Sequence, residues 1–527
     1  MSAARARRLG GRSLIAVALF GGLMATSINA TATVANIQVT PDVPHSYQEP
    51  TLVVDPHNAA HLAVSYQDGL QKPPCGLSLS RDTGATWTNS VVAGPGGQLP
   101  LPAGYDTCRD TALSFGPEGT LYYVVQASDS NRFNVSTVSV TSSSDGGRTF
   151  APLVPVAPSS TDTTDLGYYQ PSIAVDVSNG RVSIAWLHYL QFSQDTVVET
   201  ASSSDHGHTF SSPVRISPAE ETKTGSVAMV AGSGRVVVAW LDATAWSVAK
   251  GQGGATPCPA NGCPPLLAHV RTSTDNGASF GQMVTVDDHI ASGANDPWRF
   301  SRLLTMTARA SLQPLVIAWW EPQADLNRVV VARSSDRGAQ WFQPQVVTPP
   351  AGHDADEQDR AMLAVAPNGR IDMGYADLTP ADATGTRTQS IYTASSTDGG
   401  ATFAAGQLVS DQASNASIGP ARPPGGAQPP SDPSRGAWFG RHFGLSATDG
   451  STLLVWADSR RGTLTDGRQD VLFARLSAVR TASDATSAQG GSDSGRIIVI
   501  AVAAAAALIV VIAVVSIALR RWRRAHS

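Results

Sequence analysis

Four arginines occupy comparable places along a chain of 527 residues, and their chemistry indicates a site for acidic ligands. A guanidinium group binds a carboxylate through two parallel hydrogen bonds, so several arginines directed at one point would hold an acidic sugar or side chain. Each of the four precedes a short apolar segment that is typical of a buried strand. We therefore predict that four residues bind substrate: Arg109, Arg302, Arg360 and Arg441.

An eight-residue pattern recurs six times and defines the repeating unit of the chain. It reads Ser-x-Asp-x-Gly-x-(Thr/Ser/Gln)-(Trp/Phe), and consecutive copies lie 60–70 residues apart. Such a period indicates stacked supersecondary units. The Asp side chain accepts hydrogen bonds within its own turn and the Gly supplies a left-handed backbone angle, which predicts a turn between strands. We therefore assign a purely structural role to six aspartates: Asp82, Asp145, Asp205, Asp275, Asp336 and Asp398.

The apolar segments between these turns predict four-stranded antiparallel blades. The second strand of the unit recurs seven times, but the last unit, Phe443–Val479, ends after three strands. Asn36–Thr40 resembles the missing fourth strand, so we expect the N-terminal strand to close the last blade and leave no long open edge. The prediction is an all-β fold, a seven-bladed β-propeller of residues 36–479. A six-bladed ring is the alternative if one unit is an insertion.

The topology of such blades places the polar residues of interest on one face. First strands line the central channel, and their starts share a face with the ends of the second strands. Glu49, Asp110 and Tyr169 lie at such starts, as the four arginines do. An alternative stays open, in which Arg–Asp pairs form salt bridges between blades. An acidic residue follows the aromatic residue of the second strand in several blades, and this recurrence also favours a structural role.

The repeated turn resembles the Asp-box, or BNR, motif of the sialidase superfamily, over about residues 36–479. In sialidases three arginines hold the sialic acid carboxylate, a tyrosine activated by a carboxylate is the nucleophile, and an aspartate is the acid/base. The resemblance implies Tyr169 as nucleophile, with Glu49 or Asp110 as its carboxylate. The chain departs from the family pattern because sialidases have six blades. It also has Ser46–Pro50, without an arginine, where they carry Phe/Tyr-Arg-Ile-Pro.

Two functions of different classes follow from these observations. One is a sialidase-like hydrolase of acidic glycosides, which the arginine group favours. The other is a non-catalytic propeller that binds a glycan or a protein at the cell surface, which the missing arginine motif favours. Whether the chain is an enzyme therefore stays open at this point. The net charge of −5, with basic clusters only near the termini, excludes nucleic acid as the first partner, and we expect a monomer.

The two ends of the chain predict export and membrane anchoring. Residues 1–35 read as a signal peptide, with arginines before a short apolar run. Ile497–Leu519 is 23 residues without a charge and is followed by four arginines, which predicts a transmembrane helix with a cytoplasmic C-terminus. Residues 480–496 would be a stalk and 520–527 a cytoplasmic tail. The predicted location is the cell membrane, with the propeller outside.

The four cysteines fit an oxidising exterior. Cys75 and Cys108 occupy adjacent positions on one face of neighbouring blades, which predicts a disulfide between them. The second predicted disulfide, Cys258–Cys263, closes a short loop. We expect no cofactor and no catalytic metal. A run of four carboxylates between Asp354 and Asp359 leaves a structural calcium ion open.

Overall fold

The computed structural model describes residues 35–69, 72–157, 165–190, 195–250, 262–292, 304–323, 326–418, 439–440 and 442–478. The predicted signal peptide, except its last residue, lies outside these ranges, as do the stalk, the transmembrane segment and the tail. Arg302, Arg441 and Cys258 also lie outside them. Within the described residues, no helix combines the length and the apolar character that crossing a bilayer requires.

Seven antiparallel sheets form seven blades, which confirms the predicted seven-bladed all-β fold over its six-bladed alternative. Blade 1 contains β2 (Tyr47–Asp55), β3 (Asn58–Asp68), β4 (Cys75–Ser80) and β5 (Thr88–Ala93). Blade 2 contains β6 (Thr107–Phe115), β7 (Leu121–Asp129), β8 (Arg132–Ser143) and β9 (Val154–Pro155). Blade 3 contains β10 (Asp165–Asp176), β11 (Arg181–Leu190), β12 (Asp195–Ser203) and β13 (Val214–Arg215).

Blades 4 to 7 follow the same plan, with an additional strand, β26, on blade 6. Their strands are β14 (Thr224–Gly232), β15 (Arg235–Asp242), β16 (Leu266–Ser273) and β17 (Val284–Ile290); β18 (Thr305–Ala308), β19 (Leu315–Gln323), β20 (Leu326–Ser334) and β21 (Gln345–Val346); β22 (Glu357–Val365), β23 (Ile371–Leu378), β24 (Thr388–Ser396), β25 (Gln407–Leu408) and β26 (Ser414–Asn415); and β27 (Gly444–Thr448), β28 (Ser451–Asp458) and β29 (Asp470–Ser477). A short α-helix, α1 (Thr244–Lys250), follows β15, and the 3-10 turn Pro117–Gly119 precedes β7.

The N-terminal strand completes the seventh blade, as the sequence predicts. Strand β1 (Ile37–Gln38) pairs antiparallel with β29, with Ile37 opposite Phe473 and Gln38 opposite Leu472. The backbone N–H of Val39 adds a hydrogen bond of 2.8 Å to the carbonyl of Val471. The inner strands contact one another in turn around the ring, and β27 contacts β2. The two ends of the propeller are therefore joined within one sheet.

Among the described residues, seven hydrophobic clusters lie between neighbouring blades, one at each junction, and a smaller eighth consists of Ala416, Phe439 and Ala457. Successive residues of a second strand enter different clusters. Leu62 and Val64 of β3 pack towards blade 7, whereas Ala63 packs towards blade 2. Because both faces of the blade are buried, the second strands read as continuous apolar runs rather than alternating ones.

The six repeated turns share one hydrogen-bond pattern between the third and fourth strands of blades 1 to 6. In blade 4, the hydroxyl of Ser273 donates to Asp275 at 2.7 Å and accepts from the backbone N–H of Gly277 at 2.7 Å. Asp275 accepts from the backbone N–H and the hydroxyl of Ser279. Asn276 and Gly277 both have positive φ, at 61° and 87°. A tight turn with two left-handed residues explains the invariant Gly of the pattern.

The described disulfide joins the first two blades. Cys75 at the start of β4 is bonded to Cys108 in β6, which confirms the first predicted pair. Cys263 is also disulfide-bonded, and its predicted partner Cys258 lies outside the described residues. The confirmed bond ties the start of the third strand of blade 1 to the first strand of blade 2, on the face that carries the candidate site.

Replacing the buried serine of a repeated turn tests the structural role of that turn. Ser273→Ala leaves the buried N–H of Gly277 without its acceptor, and we expect the free energy of unfolding to fall by about 1–3 kcal/mol. Chemical denaturation measures this change. Ser212→Ala, at an exposed position, is the control and is expected to change it by less than about 0.5 kcal/mol. Equal stability of both variants would contradict the role assigned to the turn.

Candidate functional site

Polar residues surround the propeller axis where the inner strands begin, and we call this set the axial rim. Five of the seven inner strands are described there. Each has a register shift opposite its second strand, which is the mark of a β-bulge. The axial rim consists of five pairs of residues: Gln48–Glu49, Arg109–Asp110, Tyr169–Gln170, Gly225–Ser226 and Asp359–Arg360.

The second residue of each pair has a positive φ although none of the five is glycine. The angles are 51° at Glu49, 42° at Asp110, 50° at Gln170, 54° at Ser226 and 50° at Arg360. A non-glycine residue in this region costs about 1–3 kcal/mol and persists only where the surroundings enforce it. Five such residues at one position of the repeat therefore mark the axial rim as a place where the fold holds polar side chains in a fixed, strained arrangement.

Some bulge residues connect one blade to the next. The carboxylate of Asp110 in blade 2 accepts a hydrogen bond of 3.1 Å from the backbone N–H of Gln170 in blade 3. The buried hydroxyl of Ser226 in blade 4 accepts one of 2.7 Å from the N–H of Leu304, next to β18 of blade 5. Part of the polarity of the axial rim therefore satisfies backbone groups between blades.

Of the four predicted arginines, the structure describes two. Arg360 donates from Nε to Asp359 at 2.8 Å, contacts the amide oxygen of Gln389, and lies 5.6 Å from the ring centre of Phe439. Its side chain is 12% exposed, so the guanidinium is held in one place and partly withdrawn from water. Arg109 lies half-buried on blade 2. Blades 7 and 1 separate blades 6 and 2 on the shorter path around the ring, so the two arginines lie on different sides of the axis.

The three predicted catalytic residues belong to three successive blades. Glu49 on blade 1 is buried, and its backbone and side chain lie so close to Gly440 that a Cβ there would come within 2.6 Å of its Cγ. Asp110 on blade 2 holds the backbone of blade 3. The ring of Tyr169 on blade 3 packs against the apolar cluster between blades 3 and 4. Each of the three residues therefore has a structural task in addition to the catalytic role predicted from the sequence.

Acidic residues at the ends of the second strands cap buried tryptophans. The indole N–H of Trp319 donates to Glu321 at 3.2 Å, and that of Trp456 donates to Asp458 at 3.1 Å. In blade 4 the acceptor for Trp240 is Glu221, which lies before β14, at 2.6 Å. These tryptophans are almost fully buried, and a buried N–H without an acceptor is costly. Some of the acidic residues that follow the aromatic residue of a second strand therefore stabilise the blade, because they accept the hydrogen bond of a buried tryptophan.

The acidic run before blade 6 does not act as a single unit. Glu357 pairs with Arg387 at 3.0 Å and Asp359 pairs with Arg360, whereas Asp356 turns towards His353 at 2.8 Å. A calcium ion bound by the whole run remains a prediction. Sequence reasoning placed Gln170 among the polar residues before the first strands but gave it no role, and it missed Ser226, because a bulge residue has no recognisable sequence pattern before its register is known. Their one signal is a polar residue just before an apolar strand.

Comparisons with known proteins concern the fold. No protein-family model matches the chain, and no curated protein matches it. Among solved structures, the Hadza microbial sialidase Hz136 has 16% identity and a TM-score of 0.42 over 63% of this chain and 63% of that sialidase. A protein of unknown function from Dyadobacter fermentans has 11% identity and a TM-score of 0.44 over 85% and 99% of the two chains. A Penicillium chrysogenum alpha-L-arabinanase has 12% identity and a TM-score of 0.43 over 84% and 98%.

Glu221 predicts a pH-dependent stability. Burial raises the pKa of Glu221 to about 7. Between the ordinary pKa of a glutamate and pH 7, the folded protein therefore keeps a proton on Glu221 that the unfolded chain has released. Stability contributed by this group is therefore present at low pH and is lost as pH rises towards 7. We expect Glu221→Gln, which retains an acceptor for Trp240, to reduce the fall in unfolding free energy between pH 5 and 8 by about 1–3 kcal/mol.

Chemical denaturation across this pH range measures the effect of Glu221→Gln. Glu118→Gln is the control, since Glu118 is exposed and lies on blade 2, away from Glu221. An identical decline in Glu221→Gln and the unaltered protein would contradict the assignment.

Proposed function

We propose that the chain is a cell-surface propeller that recognises glycans through its axial rim. The observation that carries the proposal is the set of five polar bulge residues held in left-handed backbone geometry at one position of successive blades. Strain of this kind is concentrated at binding and catalytic sites, and bulges are common next to such sites. The closed ring directs the inner-strand starts towards one axis, so one ligand would contact several blades.

The chemistry of the axial rim fits a sugar. The partly exposed residues Asp110, Gln170 and Asp359 supply acceptors and donors for sugar hydroxyl groups, and Arg109 and Arg360 supply positive charge for an acidic sugar. Phe439 is buried and packs beside Arg360, which helps to hold the guanidinium in place. Because Nε and Nη2 of Arg360 already donate to Asp359 and Gln389, a ligand carboxylate would bind chiefly at Nη1.

Recognition without hydrolysis is the function we favour. The proposed catalytic carboxylate Asp110 accepts a backbone N–H, and the proposed nucleophile Tyr169 packs against an apolar cluster. Hydrolysis of acidic glycosides by a sialidase-like mechanism is the second candidate. It is favoured by the two described arginines on the axial rim together with Arg302 and Arg441 in the sequence.

The proposed location and assembly follow from the sequence of the two ends. A signal peptide over residues 1–35 would export the chain, and the apolar segment 497–519 would anchor it with the propeller outside the cell. A stalk of residues 480–496 would hold the propeller away from the membrane as a monomer, where it meets glycans or glycoproteins of the surface.

Arg360→Ala tests whether the axial rim binds the ligand. We expect the purified full-length protein to bind a subset of acidic glycans on a glycan array, and Arg360→Ala to lower the affinity at least tenfold, because a charge-assisted hydrogen bond is lost from a partly desolvated site. Biolayer interferometry with the selected glycan measures the change. Arg148→Ala is the matched control, since Arg148 is exposed on the face of the repeated turns.

The same preparations decide between the two candidate functions. We expect no turnover of fluorogenic glycosides, among which sialosides are tested first. Turnover that disappears in Tyr169→Phe would establish the hydrolase instead. Equal losses of glycan affinity in Arg360→Ala and Arg148→Ala would contradict a site on the axial rim.

A further inference from the structure

A histidine and two aspartates of blade 6 converge near the face that carries the axial rim. His353 and Asp356 lie in the loop before β22, and Asp377 lies near the end of β23. Their side-chain nitrogen and oxygen atoms lie within 4.8 Å of one another. Asp377 lies 21 and 24 residues after the other two in the sequence, so only the pairing of β22 with β23 brings it to the loop.

The imidazole nitrogen Nδ1 of His353 faces both carboxylates. It lies 2.8 Å from an oxygen of Asp356 and 2.8 Å from an oxygen of Asp377. The other ring nitrogen, Nε2, lies 3.0 Å from the hydroxyl of Tyr392. When Nε2 carries the proton and donates a hydrogen bond to the hydroxyl of Tyr392, Nδ1 has a free lone pair directed towards the two carboxylates. A ligating histidine is usually oriented by such a bond from its second nitrogen.

Asp377 is the residue that most requires a cation. Its side chain is 2% exposed, and apart from Nδ1 of His353, 2.8 Å away, neither carboxylate oxygen has a hydrogen-bond partner in the described ranges. An oxygen of Asp356 faces the same nitrogen, Nδ1 of His353. Two carboxylates directed at one point repel each other unless a positive charge lies between them, and burial strengthens that repulsion.

Two other clusters of similar composition occur in the described residues, and both differ in a decisive respect. In blade 4, Glu221 accepts from Trp240 and Asp242 accepts from the backbone N–H of Thr244, so both carboxylates already have partners. The second cluster comprises the consecutive residues 287–289 of β17, and the side chains of Asp288 and His289 are largely exposed. Among the three clusters, only that of blade 6 combines a buried carboxylate that has no partner outside the cluster with an opening to solvent, since the side chain of His353 is 33% exposed.

We propose that His353, Asp356 and Asp377 bind one divalent transition-metal ion, of which Zn²⁺ is the best match. One imidazole nitrogen and two carboxylate oxygens are ligands that Zn²⁺ accepts in tetrahedral sites. Three protein ligands leave a fourth position for water or a ligand group, reached through the opening beside His353. Ca²⁺ fits less well because it prefers six to eight oxygen ligands.

The surroundings of the cluster hold the ligands in place. Arg328 donates to the backbone carbonyls of Asp354 and Asp356, which fixes the loop that carries two of the three ligands. Tyr392, on β24, orients the imidazole. The metal would therefore link the loop before the inner strand of blade 6 to the second strand, a few residues from Arg360 of the axial rim.

Calorimetric titration of Zn²⁺ tests the site. The full-length protein, without a polyhistidine tag, is treated with EDTA, dialysed and titrated with ZnCl₂. We expect one site per chain, and at least a tenfold loss of affinity in His353→Ala and in Asp377→Asn. Tyr392→Phe removes only the orienting hydroxyl and is expected to lower the affinity about tenfold. Asp288→Asn, in the exposed cluster of β17, is the control and should leave the affinity unchanged.

Near-ultraviolet circular dichroism reports whether each variant is folded. Asp377→Asn is nearly isosteric and carries the test if His353→Ala does not fold. The proposal is overturned if the folded, unaltered protein binds no Zn²⁺, if Asp377→Asn binds it with unchanged affinity, or if Ca²⁺ displaces Zn²⁺ at equal concentration. None of these results depends on glycan binding, so failure of the metal site and failure of the proposed function are distinguishable.

Discussion

The pairing of β1 with β29 is the interaction on which the rest of the structure depends. Each blade buries both of its faces against its neighbours, so an open ring would expose one face of the first blade and one of the last. The two-residue strand contributes little area, but it joins the ends of the propeller through one sheet. Residues of β3 and β28 then share a single core cluster. A closed ring also fixes the position of every inner strand relative to the axis.

That fixed position explains how the two faces of the propeller differ. On one face, six turns repeat the same serine, aspartate and glycine contacts, and their sequence is uniform because their task is uniform. On the other face, the bulges of the inner strands share a backbone geometry while their side chains differ: Glu49, Asp110, Gln170, Ser226 and Arg360. Shared geometry with varied polar chemistry is what a ligand site built on a repeat requires. Packing between blades supplies the free energy that keeps the strained residues in place.

Sequence reasoning predicted the fold more completely than the site. Blade number, closure by the N-terminal strand and the Cys75–Cys108 bond follow from the repeat because each depends on order along the chain. The bulges were beyond reach, since a register shift depends on pairing with the second strand rather than on local residue types. The partner of Trp240 illustrates the same limit, because Glu221 reaches it from the loop before the blade, whereas Trp319 and Trp456 use the acidic residue two positions later. The convergence of His353 with Asp377 likewise appears only when β22 and β23 are paired.

The central claim is that ligands bind at the axial rim, and hydrogen–deuterium exchange of the full-length protein with and without bound glycan tests it most directly. The account predicts slower exchange in peptides that cover the starts of the inner strands, residues 47–51, 107–112, 167–172 and 357–362, with unchanged exchange in the six repeated turns. Protection confined to the repeated turns or to the outer strands would contradict it.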